Sequence, residues 1–150
     1  MAYYEKLGDI VKYNIEYDNV NKYVKACIED EIELRYLKQF YSDLADVLRK
    51  HNCKKALTDL RSAMVNMTII EIDELPNLAS EIGFDALIKR ALVVSDNFKK
   101  YSFFESISNI NRQNMKIFRS FSEAEEWLLN DEKAPNKAIP GSSLTIDEQG

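Results

Sequence analysis

The sequence predicts an α/β fold: a mixed, mostly parallel sheet with an N-terminal antiparallel hairpin and flanking helices. Three observations carry this prediction. Two alternating apolar/polar runs surround a short polar turn near the start. Beyond them, helical stripes and strand-like runs take turns along the chain, the pattern that builds parallel sheets through right-handed crossovers. The length, 150 residues, is that of one domain and is enough to bury a core without disulfide or metal staples.

In residues 10–18, "IVKYNIEYD", Val11, Tyr13, Ile15 and Tyr17 point one way and Lys12, Asn14, Glu16 and Asp18 the other. That is a strand with one buried face. "DNVN" is a turn, and "KYVKACI" alternates again with Val24, Ala26 and Ile28 on one side, which completes a hairpin.

Leu34, Leu37, Tyr41, Leu44 and Leu48 then form a helical stripe. Glu29, Asp30, Glu31 and Glu33 fall in its expected first turns and Arg49, Lys50 and His51 at its end, a distribution that suits the helix dipole. His51, the only histidine, has no partners for metal or acid–base chemistry and is read as a charge at the helix C-terminus.

"KKALTDL" (54–60) is a short strand. The following stretch becomes helical with two candidate starts. Thr68 and Glu71 make a capping box, which would leave Pro76 deep in the helix. A start at Asp73 puts Pro76 in the first turn, where it is tolerated. Leu75, Leu78 and Ile82 share a face either way, and Gly83 supplies the stop.

"IKRALVVS" (88–95) carries the unbroken apolar run of a strand covered on both faces. Asp96 is placed to cap the next helix, with Phe103, Ile107 and Ile110 aligned. "MKIF" is the last strand. Ser120 with Glu123 caps a final helix bearing Phe121, Ala124, Trp127 and Leu128, in which Trp127 is a packing residue. From residue 131 onward "DEKAPNKAIPGSSLTIDEQG" has two prolines and few large apolar side chains, and is read as a flexible tail (131–150) after a domain spanning 1–130.

Charge and composition narrow the function. A net charge of -5 disfavours nucleic acid and anionic membrane surfaces as partners. No stretch approaches the ~18 apolar residues of a membrane span, and the start lacks the pattern of a signal peptide. Cys27 and Cys53 form no disulfide framework or CxxC motif and read as reduced, half-buried thiols. A soluble, cytoplasmic protein is expected.

Ligands of open α/β sheets gather beyond the carboxyl ends of the strands. Here those ends offer Asp59, Arg61, Ser62, Ser95, Asp96 and Arg119. Asp59 and Asp96 are the candidates for acid–base work, but an ion pair of Asp59 with Arg61 and helix capping by Asp96 account for both. There is no GxGxxG, P-loop or GxSxG, and a chain with 4 glycines offers no glycine-rich phosphate cradle. A phospho-receiver site would need an acidic pair after the first strand, where this chain makes a turn. No cofactor, metal site or catalytic residue is expected.

The order of elements, with "KALTDLR" and "KRALVVSDNFKKYSFFESISNINRQNMKIFRSFSEAEEWL", resembles the SpoIIAA-like family, the STAS/SEC14-like bacterial domains. The resemblance spans roughly residues 10–130. It implies a small regulatory or binding protein, not an enzyme. Relatives of the STAS type bind protein partners under phosphorylation control, and SEC14-like relatives carry apolar ligands. The first implies a protein partner or a homo-oligomer. The second keeps a carrier or sensor of a small apolar ligand as an alternative, and weak enzymatic activity at the strand ends is a third. Phosphorylatable STAS proteins carry a D-S-S-G-like motif at a helix start, and the matching window is "MTII" with Thr68 at the acceptor position. Met67, Ile69 and Ile70 replace the flanking residues, so Thr68 is expected to act mainly as a helix cap.

Overall fold

The computed structural model describes residues 12–95 and 98–131, the side chains of Lys12 and Phe98 apart. Along the chain come β1 (Lys12–Asp18), β2 (Tyr23–Ile32), α1 (Leu34–Lys50), β3 (Lys55–Asp59), β4 (Ala63–Val65), α2 (Ile69–Asp73) and α3 (Leu75–Ile82). They are followed by β5 (Lys89–Val93), α4 (Phe98–Ile110), β6 (Asn114–Phe118) and α5 (Phe121–Leu129). The sheet order is β1-β2-β3-β5-β6, with β4 also paired to β2. The β1–β2 pair is antiparallel and the others are parallel, so the expected mixed sheet and opening hairpin are present.

The hairpin register pairs Tyr17 with Val24 and Asp18 with Tyr23. Its turn is held by the Asp18 carboxylate, which accepts from the backbone N–H groups of Val20 (2.9 Å) and Asn21 (3.0 Å), as a short acidic side chain does in a turn.

Four expectations need correction. Glu29, Asp30 and Glu31 belong to β2, which runs on to the buried Ile32; α1 begins at Leu34 with Glu33 as an N-cap whose side chain makes no capping bond. The alternation Ala26, Ile28, Ile32 has period 2 and gains a pairing partner that the acids obscured, the short strand β4. The stretch after β3 is therefore strand before it is helix; the Thr68 start is used as read, and the second start falls just after Asp73, which ends α2. Thr68 caps α2 with a complete capping box, and Glu74 breaks to α3 with Pro76 in its first turn. Ile110 is 78% exposed; the buried line of α4 is Tyr101, Phe104 and Ser108. His51 caps α1 but stacks on Tyr17 at 4.1 Å. Burial holds its pKa below the ordinary value, so the positive end of α1 belongs to Arg49 and Lys50.

β3 and β4 are two pieces of one line along β2. Cys27 pairs with Asp59 and Asp30 with Ala63. Two residues of β2, Ile28 and Glu29, thus stand opposite three, Leu60, Arg61 and Ser62, which is a bulge. Asp30 sits at φ 67 where the partner changes.

The sheet has two covered faces. On one, α1, α3 and α4 close over a large cluster containing Ile15, Ala26, Ile28, Leu44, Leu48, Ala56, Leu92 and Phe104. On the other, α5 alone seals Tyr23, Leu57, Ala91, Val93, Ala124 and Leu128. Trp127 is half-buried against Phe118, with the ring centroids 5.7 Å apart, so it packs as expected. Lys89 donates to the carbonyls of Trp127 (2.6 Å) and Asn130 (3.3 Å), which fastens the end of α5 by its orphan acceptors. The proposed tail from residue 132 lies outside the described residues.

Candidate functional site

The carboxyl ends of β2, β3 and β5 meet the bulge and the start of α2, and most of the expected rim residues lie here. Asp59 ends β3. Arg61, two residues on, donates through Nε (2.9 Å) and Nη2 (2.8 Å) to its two carboxylate oxygens, and the Arg61 backbone N–H donates to Asp59 Oδ1 (3.1 Å). The carboxylate thereby satisfies a backbone donor that the bulge removes from the ladder. The Arg61 hydrogen bonds hold the Asp59 carboxyl below the ordinary carboxylate range. The expected pair is formed, and a carboxylate so engaged accepts a proton reluctantly.

Ser95 donates to the Arg61 carbonyl (3.1 Å), tying the end of β5 to the bulge. The Ser62 carbonyl accepts from Asp30 N–H (3.2 Å), so Ser62 serves the β2–β4 junction through its backbone. The Arg61 guanidinium also lies over the Phe121 ring at 5.7 Å. Arg119 is exposed on the same side of the fold, after β6. Asp96 lies outside the described residues. Cys27, opposite Asp59 in the register, has its thiol pKa raised chiefly by burial, which makes it a poor nucleophile.

Thr68 is exposed. Its Oγ1 accepts from Glu71 N–H (3.1 Å) while the Glu71 carboxylate accepts from Thr68 N–H (2.9 Å). Next to it, Lys100 of α4 donates to the Met67 carbonyl (3.0 Å). Around this cap three apolar side chains face solvent: Met64 at 62%, Ile69 at 49% and Ile70 at 75% exposure. The Thr68 cap and the Asp59–Arg61 pair are separate hydrogen-bonded features of one rim. No cluster of three or more potential metal-ligating His, Cys, Asp or Glu side chains occurs among the described residues.

A feature that the sequence reading missed lies beneath the rim. A cavity of about 50 Å³ lies between the sheet and α1, α2, α3 and α4, walled mainly by Ile, Leu, Val, Met and Phe side chains and also by Tyr41, Thr58, Arg90, Lys100 and Tyr101. Arg90 is 4% exposed. Its Nη2 donates to Gln113 Oε1 (2.8 Å), and the guanidinium lies over the Phe84 ring at 5.1 Å. Gln113 is oriented by giving its amide hydrogens to Pro76 O (2.7 Å) and Ser80 Oγ (3.0 Å). The remaining neighbour is the Tyr41 hydroxyl. Burial lowers the Arg90 pKa and pushes that of Tyr101 up to about 12. The signal was present: in a strand covered on both faces, Ile88, Arg90 and Leu92 share one face.

Among the described residues no helix is long and apolar enough to cross a membrane. No family model matches the chain, and no curated protein matches it. Solved structures do. An uncharacterised protein with a SpoIIAA-like fold from Shewanella loihica superposes with a TM-score of 0.55 at 13% identity, covering 83% of this chain and 98% of that one. An anti-sigma factor antagonist from Mycobacterium paratuberculosis superposes with a TM-score of 0.57 at 8% identity, covering 85% of this chain and all (100%) of that one. The fold is SpoIIAA-like, as the sequence resemblance implied.

Proposed function

We propose, from this SpoIIAA-like fold, that the chain is a non-enzymatic regulatory domain of STAS type that docks a protein partner on the rim around Thr68. The observation that carries the reading is the exposure of Met64, Ile69 and Ile70 beside an exposed helix cap. Apolar side chains clustered on one surface mark interaction sites. The anti-sigma factor antagonist among the structural neighbours supports a protein as the partner. Residues 1–130 as the working domain and 131–150 as its tail belong to the same proposal.

Thr68 gives this surface a means of control. A kinase reaches an exposed threonine without unfolding the domain. A phosphate there adds about -1.5 to -2 charges beside the Glu71 carboxylate, which already occupies the helix N-terminus. It would break the capping box and draw Lys100, held one residue away on the Met67 carbonyl, towards a new anion. The modified rim would carry a different charge and a loosened α2.

The test is site-specific photocrosslinking in cells, with the probe at Ile70 or at Leu87. Leu87 is as exposed, at 68%, but precedes β5 at the opposite end of the parallel strands. A discrete adduct from Ile70 alone, weakened by Thr68→Glu, supports the docking face. Equal adducts from both positions, or none from Ile70, overturn it. Phosphopeptide mapping of the protein from its own cells decides whether Thr68 is modified.

A further inference from the structure

The cavity contains a charge without a counter-charge. Arg90 makes no ion pair among the described residues; its partners, Gln113 and Tyr41, are neutral. Its Nε has no hydrogen-bond partner, and neither does the buried hydroxyl of Tyr101, which is 6% exposed on the facing helix α4. Buried donors are ordinarily satisfied, and an isolated buried cation is among the costliest groups a fold can hold. Gln113 is fixed by two other bonds so that its oxygen meets Arg90, which leaves the guanidinium held in place rather than free to swing to solvent. Two orphan donors on residues that line one apolar cavity describe a receptor for an acceptor group that carries negative charge.

We propose that this cavity binds a short-chain organic carboxylate, its head received by Arg90 with Tyr101 donating and its alkyl body against the apolar wall. Size selects the class. About 10–15 Å³ of free room holds one water-sized group, so about 50 Å³ suits an acid of roughly four or five heavy atoms, acetate or propionate. The apolar wall disfavours a fully hydrated inorganic anion, which would lose its water shell over most of its surface. Lys100, which also lines the cavity and bonds the Met67 carbonyl, adds a second cation on the side nearest the rim. This inference is independent of the docking face, which stands or falls on crosslinking.

The experiment is a calorimetric and NMR titration of the full chain with propionate, its neutral isostere propionamide, and decanoate. Propionate is expected to bind and to shift the Arg90 side-chain Nε resonance, with propionamide and decanoate at least tenfold weaker. Arg90→Met should reduce propionate affinity at least tenfold. Should that variant not fold, Tyr101→Phe, which removes only an unpaired hydroxyl, should weaken propionate severalfold while the circular dichroism spectrum stays that of the parent. Equal affinity for propionate and propionamide, tighter binding of decanoate, no effect of Tyr101→Phe, or no saturable propionate binding stronger than about 10 mM would each overturn the proposal.

Discussion

The two faces of the sheet are built to different standards. The α5 face is small and dry. Tyr23, Leu57, Ala91, Val93, Ala124 and Leu128 fill it, and its polar edges are matched: Tyr23 donates to Glu125 (2.7 Å), Ser120 caps the helix and Lys89 closes its end. The opposite face is larger and looser, with a cavity, an unpaired guanidinium nitrogen and an unpaired phenol. A chain able to seal one face with a single nine-residue helix leaves a void under four others. The smaller face is filled throughout, and the cavity proposed above as a binding site lies on the larger one, in keeping with function occupying the less well-packed part of a fold.

The comparison is tested most severely by two leucines. Leu128 is fully buried on the dry face, so Leu128→Ala should cost towards the upper end of the roughly 2–5 kcal/mol typical of such a change. Leu44 is 1% exposed but borders the existing cavity. A side chain that borders a void lacks partner atoms on that side, and Leu44→Ala should fall at the lower end of that range. Urea unfolding of both variants measures the gap, and equal losses would mean the two faces are packed alike. Trp127→Ala comes next. A fully buried tryptophan costs about 3–5 kcal/mol, but this one is half-buried, so about 2 kcal/mol is expected.

Smaller effects belong to the rim. Thr68→Ala removes one side of the capping box and should cost about 1 kcal/mol, while Thr68→Ser should restore most of it. The Asp59–Arg61 pair is smaller still, since Arg61 is about half exposed (47%) and such pairs contribute roughly 0–1 kcal/mol. The folded pKa of Asp59 lies below its ordinary 3.8. The contribution is therefore complete above about pH 5 and fades as pH falls through the folded value. The stability difference between the parent and Asp59→Asn should be present at pH 7 and shrink by pH 2; a difference independent of pH would assign the effect to packing.

Much of this was legible in the sequence because local signals and tertiary placement agreed. The alternation of Tyr13, Ile15, Val24 and Ala26, the stripe from Leu37 to Leu48, Gly83 at φ 114 and the Ser120 cap all occur where their patterns put them. The Asp59–Arg61 pair followed from spacing alone. The misses arise where tertiary placement departs from the local pattern. Four acids before α1 look like a helix start, but β4 pairs with Asp30 and Glu31 and only Glu33 is left to cap the helix. Ile110 continues a helical stripe past the point where the helix leaves the sheet, and it ends 78% exposed. Arg90 was overlooked because charge is a surface signal, and what keeps it inside is Gln113, 23 residues further along.

The extra residue in the bulge has a bearing on how the loop can vary. Before it, even-numbered side chains of the strand face the large cluster: Ala56, Thr58 and Leu60. After it the parity is reversed, and Ala63 and Val65 turn inward while Met64 turns out. Deleting one residue from 60–62 would leave two residues opposite two, and simple alternation would still carry Ala63 and Val65 inward and Met64 outward. What such a deletion removes is the local turn in which the Arg61 backbone N–H and guanidinium reach the Asp59 carboxylate. The extra residue therefore leaves the facing of β4 unchanged, and its product is the Asp59–Arg61 pair at the rim.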